Sequence, residues 1–163
     1  MYIRVDIKIT DYQILALFNQ SPVAGLPRAL EWHSMKHITK STGRREQMID
    51  ITSEVQAALP GGDGVCVLFV QHTTCGLTVN ENADPDVQRD MLGFLERLVP
   101  QHDPEFRHAE QNSDAHIKSS LVGSAVTVPF AEGRLVLGRW QGIYLCEFDG
   151  PRERTVVMKI LKG

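Results

Sequence analysis

The chain has 163 residues, a formal net charge of −3, 42% hydrophobic and 23% charged residues, a balance that suits one globular core and excludes disordered and membrane-embedded classes. Lysine and arginine are spread along it without a basic stripe, so no nucleic acid and no membrane partner is expected. Cys66, Cys75 and Cys146 are an odd set without Cys-x-x-Cys spacing, which argues against a disulfide framework and points to a reducing cytoplasm. The apolar stretch Ile14 to Phe18 falls far short of the ~20 residues that span a bilayer, and Arg4, Asp6 and Lys8 break any signal-peptide core.

Residues 1–28 read as an N-terminal extension, an edge strand plus linker, dispensable to the chemistry; residues 29–163 read as a single domain. Trp32 to Thr39 alternates like a strand, Ser41-Thr42-Gly43-Arg44 is a turn, and Glu46 to Ile51 returns as its hairpin partner. Thr52 or Ser53 caps a short helix carrying Val55 and Leu59, stopped by Pro60-Gly61-Gly62. Val65 to Val70 reads as a buried strand, and Leu77-Thr78-Val79 as a second short one.

Asp84-Pro85 is a strong helix start, because the aspartate caps free amides and proline at the first helical position lacks only an unused donor. The helix should run to about Val99, with Val87, Met91, Leu95 and Leu98 inward and Gln88 outward. A polar loop from Gln101 to Ser113 leads to a second helix capped by Asp114, carrying Ile117 and Leu121 and closed by Gly123. Val126 to Phe130 and Leu135 to Gly138 flank a three-residue hairpin, Ala131-Glu132-Gly133. Ile143 to Phe148 and Thr155 to Leu161 flank Asp149-Gly150-Pro151-Arg152 as another. Hairpin-linked strands with helices grouped mid-chain predict an α+β fold with a largely antiparallel sheet or sandwich.

His72 follows the apolar strand at the head of Gln71-His72-Thr73-Thr74-Cys75-Gly76; His108 and His116 lie in a loop and at a helix start. Three imidazoles suffice for a divalent metal, zinc or magnesium, although each also reads as a loop residue bonded locally. At the second helical position, His116 would be held neutral by the helix dipole, with a lone pair available. Glu81, between a strand end and a helix start, is the candidate general base, and Asp90 a carboxylate that pairs with Arg89 or orients a histidine. Glu81 also reads as a turn residue exposed to solvent, and Asp90 lies at the margin of the buried helix face. Lys118 and Ser119, with free amides at a helix start, form a candidate cradle for a phosphorylated metabolite, against a solvated-helix reading for Lys118. Thr73 and Thr74 add hydroxyls. Arg139, Trp140 and Gln141 sit between glycines, where Trp140 serves either as a stacking wall or as core. Cys75 reads as packing.

His72-Thr73-Thr74, Asn80-Glu81-Asn82-Ala83-Asp84-Pro85, His108, Asn112 through Gly123, and Leu135 through Gln141 with Asp149-Gly150-Pro151-Arg152 together resemble the YjbQ-type family, the secondary thiamine-phosphate synthases. The resemblance runs from about Leu30 to Gly163. It implies a compact α+β subunit in a homotrimer, with a histidine-rich, metal-binding pocket formed by His72, Glu81, His108 and His116 beside Asp90, Asn112 and Gln141. The implied reaction joins a pyrimidinylmethyl diphosphate to a thiazole phosphate and releases pyrophosphate. A non-catalytic module that binds the same metabolite and metal is the alternative. Two departures stand out: Arg139 precedes Trp140 where the family commonly reads Gly-Thr-Trp-Gln, and residues 1–28 have no family counterpart.

Overall fold

The computed structural model describes residues 35–162; the expected N-terminal extension and the start of the first predicted strand lie outside them. In chain order the elements are β1 (Lys36–Ser41), β2 (Gln47–Asp50), α1 (Thr52–Ala58), β3 (Gly64–Val70), β4 (Cys75–Glu81), α2 (Pro85–Leu98), α3 (Ser113–Val122), β5 (Ala125–Ala131), β6 (Arg134–Leu135), β7 (Gln141–Glu147) and β8 (Glu153–Lys162). The class is α+β with antiparallel pairing throughout: one sheet in the order β1-β8-β3-β5-β6, and a smaller one in the order β2-β7-β4.

The sheets face each other across an apolar core. Cys66, Leu68 and Val70 of β3 and Val156, Met158 and Ile160 of β8 meet Cys75 and Leu77 of β4 and Ile143 and Leu145 of β7. Their period of two is the pleat, which turns alternate side chains to one face. Strand β7 is buried on both faces, because Tyr144, Cys146 and Phe148 turn the other way, onto Ala115 of α3 and Leu92 and Leu95 of α2. Strand β3, expected to be buried throughout, is buried on one face only, with Phe69 43% exposed on the other.

That double burial of β7 corrects two predicted hairpins. Strands β1 and β2 do not pair: Lys36 lies opposite Met158 of β8, while Gln47 lies opposite Glu147 of β7. Nor do β7 and β8, which belong to different sheets. A strand apolar on both faces needs neighbours on both sides and cover above and below, so β7 takes the centre of the small sheet. The turn-like sequences at 42–46 and 148–152 are therefore corners where the chain changes sheet. The β5–β6 hairpin is real but shorter than predicted, since Ala131 pairs with Arg134 and only Glu132 (φ 52°) and Gly133 (φ 73°) form the turn. Two successive positive φ angles match the twist of the flanking strands.

Helix α2 starts as predicted, with the Asp84 carboxylate accepting from the Asp86 N–H at 2.9 Å and Pro85 in the first turn. Its inward face is rotated from the predicted one: Gln88 reaches the Tyr144 hydroxyl at 2.9 Å, while Leu98 is 57% exposed. In α3 the expected pattern is inverted. Asp114, Ala115, Lys118 and Ser119 are buried, whereas Ile117 and Leu121 face outward. Asp114 is not its cap, since Asn112 holds that position and Gly123 closes the other end.

Candidate functional site at the sheet-switching end

Three corners meet at one end of the sandwich. The Thr42 N–H donates to the Arg152 carbonyl at 2.8 Å, the Arg152 N–H to Thr42 Oγ1 at 2.7 Å, and the Phe148 N–H to the Thr74 carbonyl at 3.2 Å. With the loop ahead of α3 they frame a cleft of about 360 Å³ lined by Gln71, His72, Thr73, Thr74, His108, Glu110, Asn112, His116, Asp149, Arg152 and Arg154.

Its floor is a buried ion pair. The Arg154 guanidinium donates from Nε to Glu147 Oε2 at 2.7 Å and from Nη2 to Glu147 Oε1 and, at 2.8 Å, to Thr74 Oγ1. Glu147 also accepts from the Thr42 hydroxyl at 3.0 Å and from the N–H groups of Phe148 and Asp149 at 3.0 and 2.9 Å. Burial alone raises the Glu147 carboxyl pKa, but hydrogen bonds from Arg154 and the backbone outweigh it and hold the group below the ordinary carboxylate range. A fully bonded pair of this kind tolerates burial where a bare charge does not.

His72 sits above this pair. Its Nε2 accepts the Thr155 N–H at 2.9 Å, which places the ring proton of the neutral imidazole on Nδ1. Burial depresses its pKa and the Arg154 charge depresses it further. The His108 and His116 rings meet edge to face, with centroids 5.4 Å apart at 79°. Asn112 is 5% exposed; its Nδ2 donates to Asp149 Oδ2 at 2.9 Å and to Glu110 Oε2 at 3.3 Å. Arg152 closes the rim, bonded to Asp149 Oδ2 at 2.7 Å.

His72, Thr73, Thr74, His108, Asn112 and His116 are thus brought together, as the sequence suggests. The remaining candidates stand elsewhere. Lys118 has no exposed side-chain surface and is held by Glu46 and by Asp114, the latter at 3.0 Å, so it cannot cradle an anion. Asp114 is shared with Arg45 through two 2.9 Å bonds, and these cations keep its carboxyl low against the opposing effect of burial. Ser119 donates to the Cys75 carbonyl at 2.8 Å. Asp90 is 76% exposed beside Arg89, too far out to orient a histidine. Glu81 and Gln141 face each other across β4 and β7, outside the cleft, and Gln141 Oε1 accepts from the Gly138 N–H at 2.8 Å. The Arg139 guanidinium stacks 4.8 Å over Trp140, which is 54% exposed and therefore not core. Cys75 is fully buried, and burial pushes its thiol pKa up to about 11, which suits packing and not nucleophilic attack.

Arg154 and Glu147 were missed, although a signal existed. Arg154 continues the inward row of Val156, Met158 and Ile160, and Glu147 that of Ile143 and Leu145. Two opposite charges at apolar positions of facing strands predict a buried pair.

The model of the UPF0047 protein YjbQ-like family matches residues 36–163. The chain belongs to the YjbQ-like UPF0047 family. UPF0047 protein MJ1081 of Methanocaldococcus jannaschii is 49% identical over 123 residues, covering 74% of this chain and 88% of that protein. UPF0047 protein YugU of Bacillus subtilis is 48% identical over 130 residues, covering 78% and 98%. Among solved structures, a YjbQ/UPF0047 family protein of Clostridium acetobutylicum superposes with a TM-score of 0.75 at 48% identity, covering 77% of this chain and 98% of that one. A hypothetical protein of Aeropyrum pernix does so at 0.76 and 36% identity, covering 80% and 100%.

Among the described residues of this YjbQ-like chain, no group of three or more His, Cys, Asp or Glu side chains is placed to hold a metal ion. The Nε2 of His72 is engaged by the Thr155 N–H in this arrangement. No helix among the described residues is long and apolar enough to cross a membrane.

Proposed function

We propose that the cleft binds a phosphorylated small molecule and that the chain joins a pyrimidinylmethyl diphosphate to a thiazole phosphate with release of pyrophosphate. The observation that carries this reading is the convergence of His72, His108, Asn112, His116 and Arg152 on one cleft. About 360 Å³ is the lower end of the ~300–1,000 Å³ range of ligand pockets, room for one heterocycle. His116 also lines two adjoining hollows of about 550 and 530 Å³, where a second reactant fits. Arg152 and the Nδ1–H of His72 face the charge that grows on a departing diphosphate, and donors preset in this way are the larger part of such catalysis. The thiazole nitrogen forms the new C–N bond as the C–O bond to diphosphate breaks, so the step needs charge neutralisation of the leaving group and no base, and the expected role of Glu81 falls away. A divalent ion, zinc or magnesium, belongs to the proposal: His108 and His116 would hold it, and it would neutralise phosphate charge.

One observation favours a second reading, a module that binds without turnover. Of the two arginines lining the cleft, Arg154 is committed to Glu147, leaving a single guanidinium for a diphosphate. Incubation with both substrates and Mg²⁺ separates the readings. Pyrophosphate release matched by condensed product is the expected result. A rise in melting temperature without substrate consumption would establish the module, and neither effect would overturn both.

The proposed assembly is a homotrimer, supported by the apolar stripe of α3, where Ile117 and Leu121 are 38% and 59% exposed beside the cleft. Sedimentation at about three times the 18.2 kDa chain mass is the expected result, and a monomer would contradict it. A cytoplasmic location is part of the same proposal, supported by Cys66, Cys75 and Cys146 standing free and buried.

A further inference from the structure

The Thr74 hydroxyl has a proton that no described residue accepts. The side chain stands at the wall of the cleft, 6% exposed, and its one side-chain partner among the described residues is Arg154, whose Nη2 donates to Thr74 Oγ1 at 2.8 Å. A guanidinium has five donors and no acceptor, so this bond occupies an oxygen lone pair and leaves the O–H free. Buried polar groups are nearly always bonded to something.

The strongest acceptor nearby is the Glu147 carboxylate, and Arg154 keeps the hydroxyl from it. Nη2 bonds Thr74 and Glu147 Oε1 together, while Nε holds Oε2 at 2.7 Å, so the guanidinium bridges hydroxyl and carboxylate on the sides that face each other. Glu147 is filled elsewhere by the Thr42 hydroxyl and the N–H groups of Phe148 and Asp149. An O–H beside a bare carboxylate would turn onto it, because bonds to an ionised group are the stronger kind. With that acceptor saturated, the cleft is the direction left to the proton. The backbone is fixed too, since the Phe148 N–H donates to the Thr74 carbonyl at 3.2 Å.

We infer that Thr74 donates its hydroxyl to an oxygen of the anion bound in the cleft, and that Arg154 is the positioning residue that reserves the proton for it. The buried pair thus acts on binding without touching the ligand, apart from its part in stability. This rests on the proposed function for the presence of an anion alone.

Calorimetric titration of the full chain with inorganic pyrophosphate tests it. Thr74→Val keeps the shape and removes the hydroxyl, and should weaken binding about tenfold or more, the worth of a hydrogen bond to a charged group. Thr74→Ser restores the hydroxyl and should bind within about threefold of the unaltered protein. In Arg154→Met the carboxylate captures the proton, so adding Thr74→Val should change affinity by less than about twofold. With Glu147→Leu also present no competing acceptor remains, and Thr74→Val should again cost about tenfold. A pair that serves stability alone does not produce this alternation. Arg154→Lys keeps the charge but cannot span both groups, and supplies the comparison where Arg154→Met fails to fold. Equal affinity of Thr74→Val and Thr74→Ser would overturn the inference and leave anion binding intact, as would an undiminished cost of Thr74→Val in the Arg154 variants. The expected pattern without condensed product from the two substrates would sustain the inference and remove the synthase reading. Absence of pyrophosphate binding by the unaltered protein would overturn both.

Discussion

Glu147→Ala should destabilise the protein by about 3–5 kcal/mol, the usual cost of removing one partner from a buried, hydrogen-bonded ion pair. The substitution leaves the Arg154 guanidinium, 4% exposed, with Thr74 as its remaining side-chain partner, and removes the acceptor for Thr42 and two backbone amides. In calorimetry the loss should appear as a fall of about 10 °C or more in Tm. Replacing the pair together, Glu147→Leu with Arg154→Met, should cost much less, because no charge is then stranded. Acid should act in the same direction. Glu147 and Asp114 have lower pKa values folded than unfolded, so their stabilisation is complete above the unfolded carboxylate values of about 4 and is lost as pH falls through the folded ones. Stability measured by denaturant at descending pH should therefore drop below about pH 5, and more shallowly in Glu147→Ala. A single variant no less stable than the double one would show that the corner does not depend on this pair.

His116→Ala should lower the rate of pyrophosphate release by about 10²–10³, the range associated with loss of one group that stabilises developing charge, with little change in Tm. The small stability effect follows from its half-exposed position, where the ring contacts His108 and borders three hollows. His108→Ala should act in the same direction. Loss of less than about threefold in both variants would place the neutralisation of the leaving group elsewhere.

How far the sequence discloses this arrangement depends on whether a signal is local. Asp84-Pro85 specifies the start of α2 because capping is settled within one turn, and the Glu132-Gly133 turn is legible for the same reason. The corners are not. Ser41 to Arg44 and Asp149 to Arg152 have turn chemistry, and turn chemistry does not say whether the next strand returns beside the last one or crosses to another sheet. That choice is made by β7, whose unbroken burial from Gly142 to Glu147 demands cover on both faces. Helix α3 misled for a related reason: Asp114 and Lys118 are polar yet inward, because Arg45 and Glu46 from a distant corner neutralise them, while Ile117 and Leu121 face out. The histidine convergence was visible in residue type and position at element ends. The Glu147–Arg154 floor and its bond to Thr74 depend on chain segments far apart in sequence, which periodicity alone does not reveal.

Ligand binding at the sheet-switching cleft underlies the proposed function. Titration of inorganic pyrophosphate into uniformly ¹⁵N-labelled protein, followed by amide and imidazole chemical shifts, tests it most directly. The largest movements should fall on His72, Thr73, His108, Asn112, His116 and Arg152. Movements confined to Asp50, Thr52, Leu137 and Trp140, with those six residues silent, would contradict it.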